Sequence, residues 1–81
     1  MSIKSRDLGR ATARLLDYAG TASGQGAPFP TIDELAAQLK LEVRVCREVM
    51  LSLSASRHLV VRIHAGGRYE VRPGIWWRPQ R

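Results

Sequence analysis

Cysteine and histidine are nearly missing from this chain, which has only Cys46, His58 and His64. A single cysteine makes no internal disulfide, and three such side chains cannot assemble a metal-ligand cluster, so neither metal nor cofactor is expected. No apolar run approaches the ~18 residues that a bilayer span requires. The opening Met1-Ser2-Ile3-Lys4-Ser5-Arg6 also lacks the hydrophobic stretch of a signal peptide. A cytoplasmic protein with no membrane partner is the expectation. No nucleophile–base pair, carboxylate pair or phosphate-cradling glycine loop is legible, which argues against an enzyme. For a length of 81 residues a single domain is expected. A chain this short buries only about 60% of its unfolded surface, so a partner subunit would help it.

What is present is an ordinary globular composition, 44% hydrophobic and 25% charged, with a net charge of +6. The excess is placed unevenly. Residues 1–40 carry five basic against four acidic side chains, whereas residues 41–81 set eight arginines against Glu42, Glu48 and Glu70. Arginine is suited to forked recognition of phosphate and of guanine, so the bias favours a nucleic-acid partner.

Leu8, Ala11, Leu15 and Tyr18/Ala19 recur at helical spacing, with Arg6, Arg10, Arg14 and Asp17 on the opposite face. That predicts a first helix capped by Ser5 and stopped at Gly20. Residues 21–30 are rich in Gly, Pro and Ser and read as a loop. Thr31-Ile32-Asp33-Glu34 is a capping-box pattern that opens a short helix with Ile32, Leu35, Ala36 and Leu39 on its apolar side. A turn without Gly or Pro leads to a third helix from Val43. Its Cys46, Val49, Met50 and Leu53 face a core, and its Arg44, Arg47, Glu48 and Leu51 face outward. Cys46 reads as a small buried hydrophobe. Leu59–His64 and Tyr69–Arg72 alternate as two strands around Ala65-Gly66-Gly67-Arg68, a hairpin that Pro73-Gly74 ends.

The expected fold class is therefore α+β, three helices followed by a two-stranded hairpin, in the order of a winged helix-turn-helix. The domain is assigned to residues 1–74, and residues 75–81 to a basic tail containing Trp76 and Trp77. Pro30-Thr31-Ile32-Asp33-Glu34-Leu35-Ala36 with Leu39 resembles the first helix of the motif in GntR-like and Rrf2-like bacterial regulators. Val43 to Leu53 is similar to their recognition helix, and Leu59-Val60 into Gly66-Gly67-Arg68-Tyr69-Glu70-Val71 resembles their wing, with the Gly-Gly-x-Tyr pattern leaning toward the Rrf2-like members. The chain departs from the pattern at Glu42, where a small polar cap is usual. It departs again between Leu53 and Leu59, where Arg57-His58 stand in place of a customary glycine. Neither an effector domain nor an iron–sulfur ligand set accompanies the motif.

The resemblance implies sequence-specific binding of double-stranded DNA by a small dimeric, nucleoid-associated regulator, with helix 43–55 in the major groove and wing 59–72 on the backbone or minor groove. Arg44 and Arg47 would read bases, and Arg68 at the hairpin tip, with Arg62 and His64, would meet phosphate or the minor groove. Thr31, Val45 and Glu48 complete the expected DNA-facing set. Both histidines are expected to be exposed, without catalytic partners. Two adjacent tryptophans in an extended segment cannot both face one core. One is expected to find its place on a dimer partner, or back on the first helix, or on unpaired bases. Val45 and Leu51, read as exposed apolar residues on the third helix, supply the rival reading: a protein-binding module that buries Val45, Leu51, Trp76 and Trp77. RNA binding stays open, without an RNA-specific signature.

Overall fold

A computed structural model describes residues 5–22 and 29–78, the side chains of residues 5, 6 and 22 excepted. Helix α1 spans Ser5–Ala22, α2 Ile32–Leu39 and α3 Val43–Ala55; strand β1 is Leu59–His64 and β2 Arg68–Pro73. The side chain of Ser5, the expected cap, lies outside the described residues. So do most of the expected 21–30 loop (23–28) and the last three residues of the tail.

Each helix turns a narrow apolar stripe to one shared core. Ala11, Leu15 and Ala19 of α1, with the adjacent Leu16, meet Leu35 and Ala36 of α2 and Cys46, Val49, Met50 and Leu53 of α3. Leu59 of β1 and Val71 of β2 close the core from the hairpin side. Leu8, expected to begin the α1 stripe, is 39% exposed at the rim. Val45, expected to be exposed, is only 9% exposed and belongs to the core. At 100° per residue it lies beside Cys46 and Val49 on the buried arc of α3, an arc wider than the four-residue stripe alone marks.

Helix α1 runs two residues beyond Gly20, the expected stop. Glycine inside a helix costs about 1 kcal/mol relative to alanine, and here the missing side chain has a use. The Trp77 ring lies so close that a Cβ on Gly20 would fall 2.6 Å from it.

The capping box of α2 forms as the residues indicate. The Thr31 N–H donates to Glu34 Oε1 at 2.9 Å, and the Glu34 N–H donates to Thr31 Oγ1 at 3.3 Å. The turn into α3 manages without glycine because Lys40 adopts the left-handed conformation, φ 56°. Its strain is offset by bonds to the end of α2. The Lys40 and Leu41 N–H groups donate to the Ala37 and Ala36 carbonyls at 3.1 and 2.8 Å. Arg14 Nη1 reaches across from α1 to the Leu39 and Lys40 carbonyls at 2.9 and 3.2 Å. Arg14 is thus a half-buried clamp between α1 and α2 rather than part of a freely solvated face. Arg57, φ 66°, plays the part of the missing glycine after α3.

The hairpin pairs Leu59 with Pro73 and continues without a bulge to His64 with Arg68. Gly66 and Gly67, φ 80° and 71°, make the turn. One element escaped the sequence pattern. Phe29-Pro30, read as loop, and Thr31, read as the cap of the second helix, lie along the far edge of β2, with Thr31 bridging to Arg68 and the Tyr69 N–H donating to the Pro30 carbonyl at 2.7 Å. Prolines on both sides of Phe29 hid it, since proline is depleted from strands and tolerated at such an edge. The architecture is an α+β winged-helix arrangement, as expected.

Candidate nucleic-acid interface

The second helix of the helix-turn-helix presents the side chains that its spacing indicated. Arg44, Arg47, Glu48 and Leu51 stand at i, i+3, i+4 and i+7 on the solvent side of α3, all exposed, with Leu51 55% exposed. Leu8 and Thr12 of α1 border this face, and with Arg44, Glu48, Val49, Ser52 and Leu53 they line an open groove of about 520 Å³. Val45 points away from it, into the core. Thr31 is half-buried, and its hydroxyl is occupied as the α2 cap. Cys46 is buried and free, and burial pushes its thiol pKa up, which suits a packing role.

On the hairpin, residues paired across the strands share a face. Leu59, Val61, Val71 and Tyr69 pack on the core side, so Arg62, His64, Arg68, Glu70 and Arg72 share the outward side. Glu70 is nevertheless only 6% exposed. His64 Nε2 donates to its Oε1 at 2.8 Å, and Arg72 Nε donates to Oε2. The Phe29 ring stacks on His64 with centroids 4.8 Å apart and planes 17° apart. Arg68 Nη1 donates to the Phe29 carbonyl at 2.7 Å and lies 3.6 Å from Glu34 Oε1.

These contacts revise three expectations. Arg68 is not at the hairpin tip, which is Ala65-Gly66-Gly67; it opens β2 and ties the wing to the N-terminus of α2. His64 is exposed, as expected, but it is held between Phe29 and Glu70. His58 is half-buried, its Nδ1 2.7 Å from Ser56 Oγ. A single sequence gives no sign that Glu70 organises the outward face, because a lone acid between two arginines in a strand reads as solvated.

The Glu70 carboxyl is held below the ordinary carboxylate range, chiefly by the His64 hydrogen bond and then by Arg72, against the opposing effect of burial. A carboxylate with a depressed folded pKa stabilises the fold fully above its unfolded value, near 4.5 here, and loses that contribution as the pH falls through the folded value. Thermal unfolding followed between about pH 5 and pH 3 should show a smaller acid-induced drop in Tm for Glu70→Gln than for the unaltered protein. Equal drops would mean that the cluster does not hold the wing.

The two tryptophans part company. Trp77 turns back onto α1, where its Nε1 donates to the Leu16 carbonyl at 2.8 Å and its ring lies against Gly20. It is therefore not free to serve a partner, and the first helix is where its ring lodges. Trp76 remains 56% exposed, next to Ile75 at 68%.

No helix among the described residues is long and apolar enough to cross a membrane. No protein-family model and no curated protein matches the sequence. Among solved structures, the chain is similar to a protein from Ralstonia eutropha JMP134 whose crystal structure bears the name "putative DNA-binding protein". The two share 22% sequence identity with a TM-score of 0.59, over 91% of this chain and 86% of the other. At that identity the likeness concerns the fold alone.

Proposed function

We propose that the protein binds double-stranded DNA, with α3 in the major groove and the β1–β2 wing on the adjacent backbone or minor groove. The observation that carries this reading is the solvent face of α3. Arg44 and Arg47 stand exposed within its first five residues, on the second helix of a helix-turn-helix, where such helices reach base edges. The name of the Ralstonia protein points the same way, as does the arginine excess of the C-terminal half. In this reading the chain is a small cytoplasmic transcriptional regulator of GntR-like or Rrf2-like kind, works as a homodimer, and is not an enzyme. Arg62 is the wing cation directed to DNA; Arg68 and His64 hold the wing in place.

Selection from a random duplex pool followed by titration tests the assignment. Arg47→Ala should cost about 1–3 kcal/mol on the selected sequence and much less on random duplex, because a forked guanine contact carries base information. Arg62→Ala should weaken both by a similar factor. A protein-binding module remains the second reading, favoured by the exposure of Leu51 and Trp76, with Val45 and Trp77 withdrawn from it. Duplex binding that no arginine substitution alters would favour that module.

A further inference from the structure

Of the four side chains on the outward face of α3, two arginines and a leucine suit the phosphates and base edges of a duplex. Glu48 is the exception. It is exposed, and no ion pair among the described residues engages it or its neighbour Arg47. An unpaired carboxylate set against a polyanion weakens binding wherever it meets phosphate. A favourable partner for it on DNA has to be a base that donates a hydrogen bond.

Helix geometry says which base lies within reach. At about 100° per residue, Arg47 and Glu48 mark the two flanks of the outward arc, with Leu51 and Arg44 between them. The Glu48 flank borders α1, where the carboxylate shares the open groove with Leu8 and Thr12. Along the axis the two residues differ by about 1.5 Å, less than the ~3.4 Å between successive base pairs. With α3 in the major groove they meet the same base pair or adjacent ones.

The two side chains make opposite demands on that edge. A guanidinium donates, and guanine offers it two acceptors, N7 and O6. A carboxylate accepts, and the cytosine paired with that guanine presents its N4 amino group as a donor. Adenine also has an amino group, but the N7 acceptor beside it repels a carboxylate. Cytosine carries no acceptor on its major-groove edge.

We propose that Glu48 is a specificity-determining residue, accepting a hydrogen bond from the N4 amino group of a cytosine within one base pair of the guanine read by Arg47. The same charge disfavours every duplex that lacks this cytosine, so Glu48 lowers general affinity and sharpens discrimination. The inference rests on the DNA-binding reading above and deepens it.

Competition binding of the full chain tests the proposal. The probes are the duplex selected by the unaltered protein, its single-base-pair variants and a random duplex. Glu48→Ala should bind random duplex several-fold more tightly and lose at least about fivefold discrimination at one base pair. That position should be a cytosine within one step of the guanine whose preference Arg47→Ala relaxes. Glu48→Gln is the sharper probe, because its amide sets a donor beside the acceptor and matches adenine N6 and N7. Its preference at the same position should move from cytosine to adenine. Both changes fall at an exposed helical site and should leave the helical circular dichroism unchanged. An equal change on every duplex, or none, would overturn the proposal, since the carboxylate would then read no base. A relaxed position that is not cytosine, or that lies farther from the Arg47 guanine, would overturn it as well. In each of these outcomes the unaltered protein still binds duplex in a salt-dependent way, so DNA binding stands. Absence of that binding in the unaltered protein would overturn both.

Discussion

Trp77→Ala should lower the stability of this protein by about 2–4 kcal/mol, somewhat below the ~3–5 kcal/mol for removing a fully buried aromatic because Trp77 is half-buried. In a domain of this size each kcal/mol moves Tm by roughly 4–8 °C, so a loss of about 10–25 °C is expected in a thermal scan. Trp77 closes the gap between α1 and the end of the hairpin. Its indole N–H uses the second lone pair of the Leu16 carbonyl, which in a helix also accepts from residue 20. Residue 20 is glycine, and only without a Cβ can the ring lie there. Gly20→Val should therefore reproduce much of the loss by expelling the same ring. Trp76→Ala, at an exposed site, should change stability by less than about 0.5 kcal/mol. Equal effects of the two tryptophan substitutions would refute the placement of Trp77. Cutting the chain after Pro73 is consequently a poor probe of dimerisation, because it would also remove a structural residue.

The second large effect concerns salt. If five or six of the eight C-terminal arginines met phosphates, the slope would be about −4 to −5. The structure reduces the number, because Arg72 is engaged with Glu70. Arg44, Arg47 and Arg62 stand exposed on the proposed DNA-facing side, and Arg68 in part. At about −0.9 per phosphate, one protomer on a short duplex should show a slope of log K against log salt between about −2.7 and −3.6. Raising salt from 50 to 200 mM should then weaken binding roughly 40- to 150-fold. A flat dependence would remove DNA from the account and leave the protein-binding module. Arg62→Ala should lower the slope by about 1.

Much of this molecule is local and therefore legible in one chain. The α2 capping box, the stripe Cys46-Val49-Met50-Leu53 and the Gly66-Gly67 turn each depend on residues within a few positions of one another, so spacing alone determines them. The outward face of α3 follows from the same periodicity. Tertiary structure decided whatever joins distant positions. It extended α1 past Gly20 to receive Trp77, turned Arg14 from a surface charge into a clamp on α2, and drew Val45 into the core. It paired Phe29-Pro30-Thr31 with β2 and built the outward wing around Glu70. These contacts bridge up to 61 positions, as between Leu16 and Trp77. No local preference encodes them, because their free energy arises only when separate elements meet and satisfy one another's polar groups and packing. The sequence by itself determined the elements, their order and the charge they carry; the packing decided which of those charges are free to meet a partner.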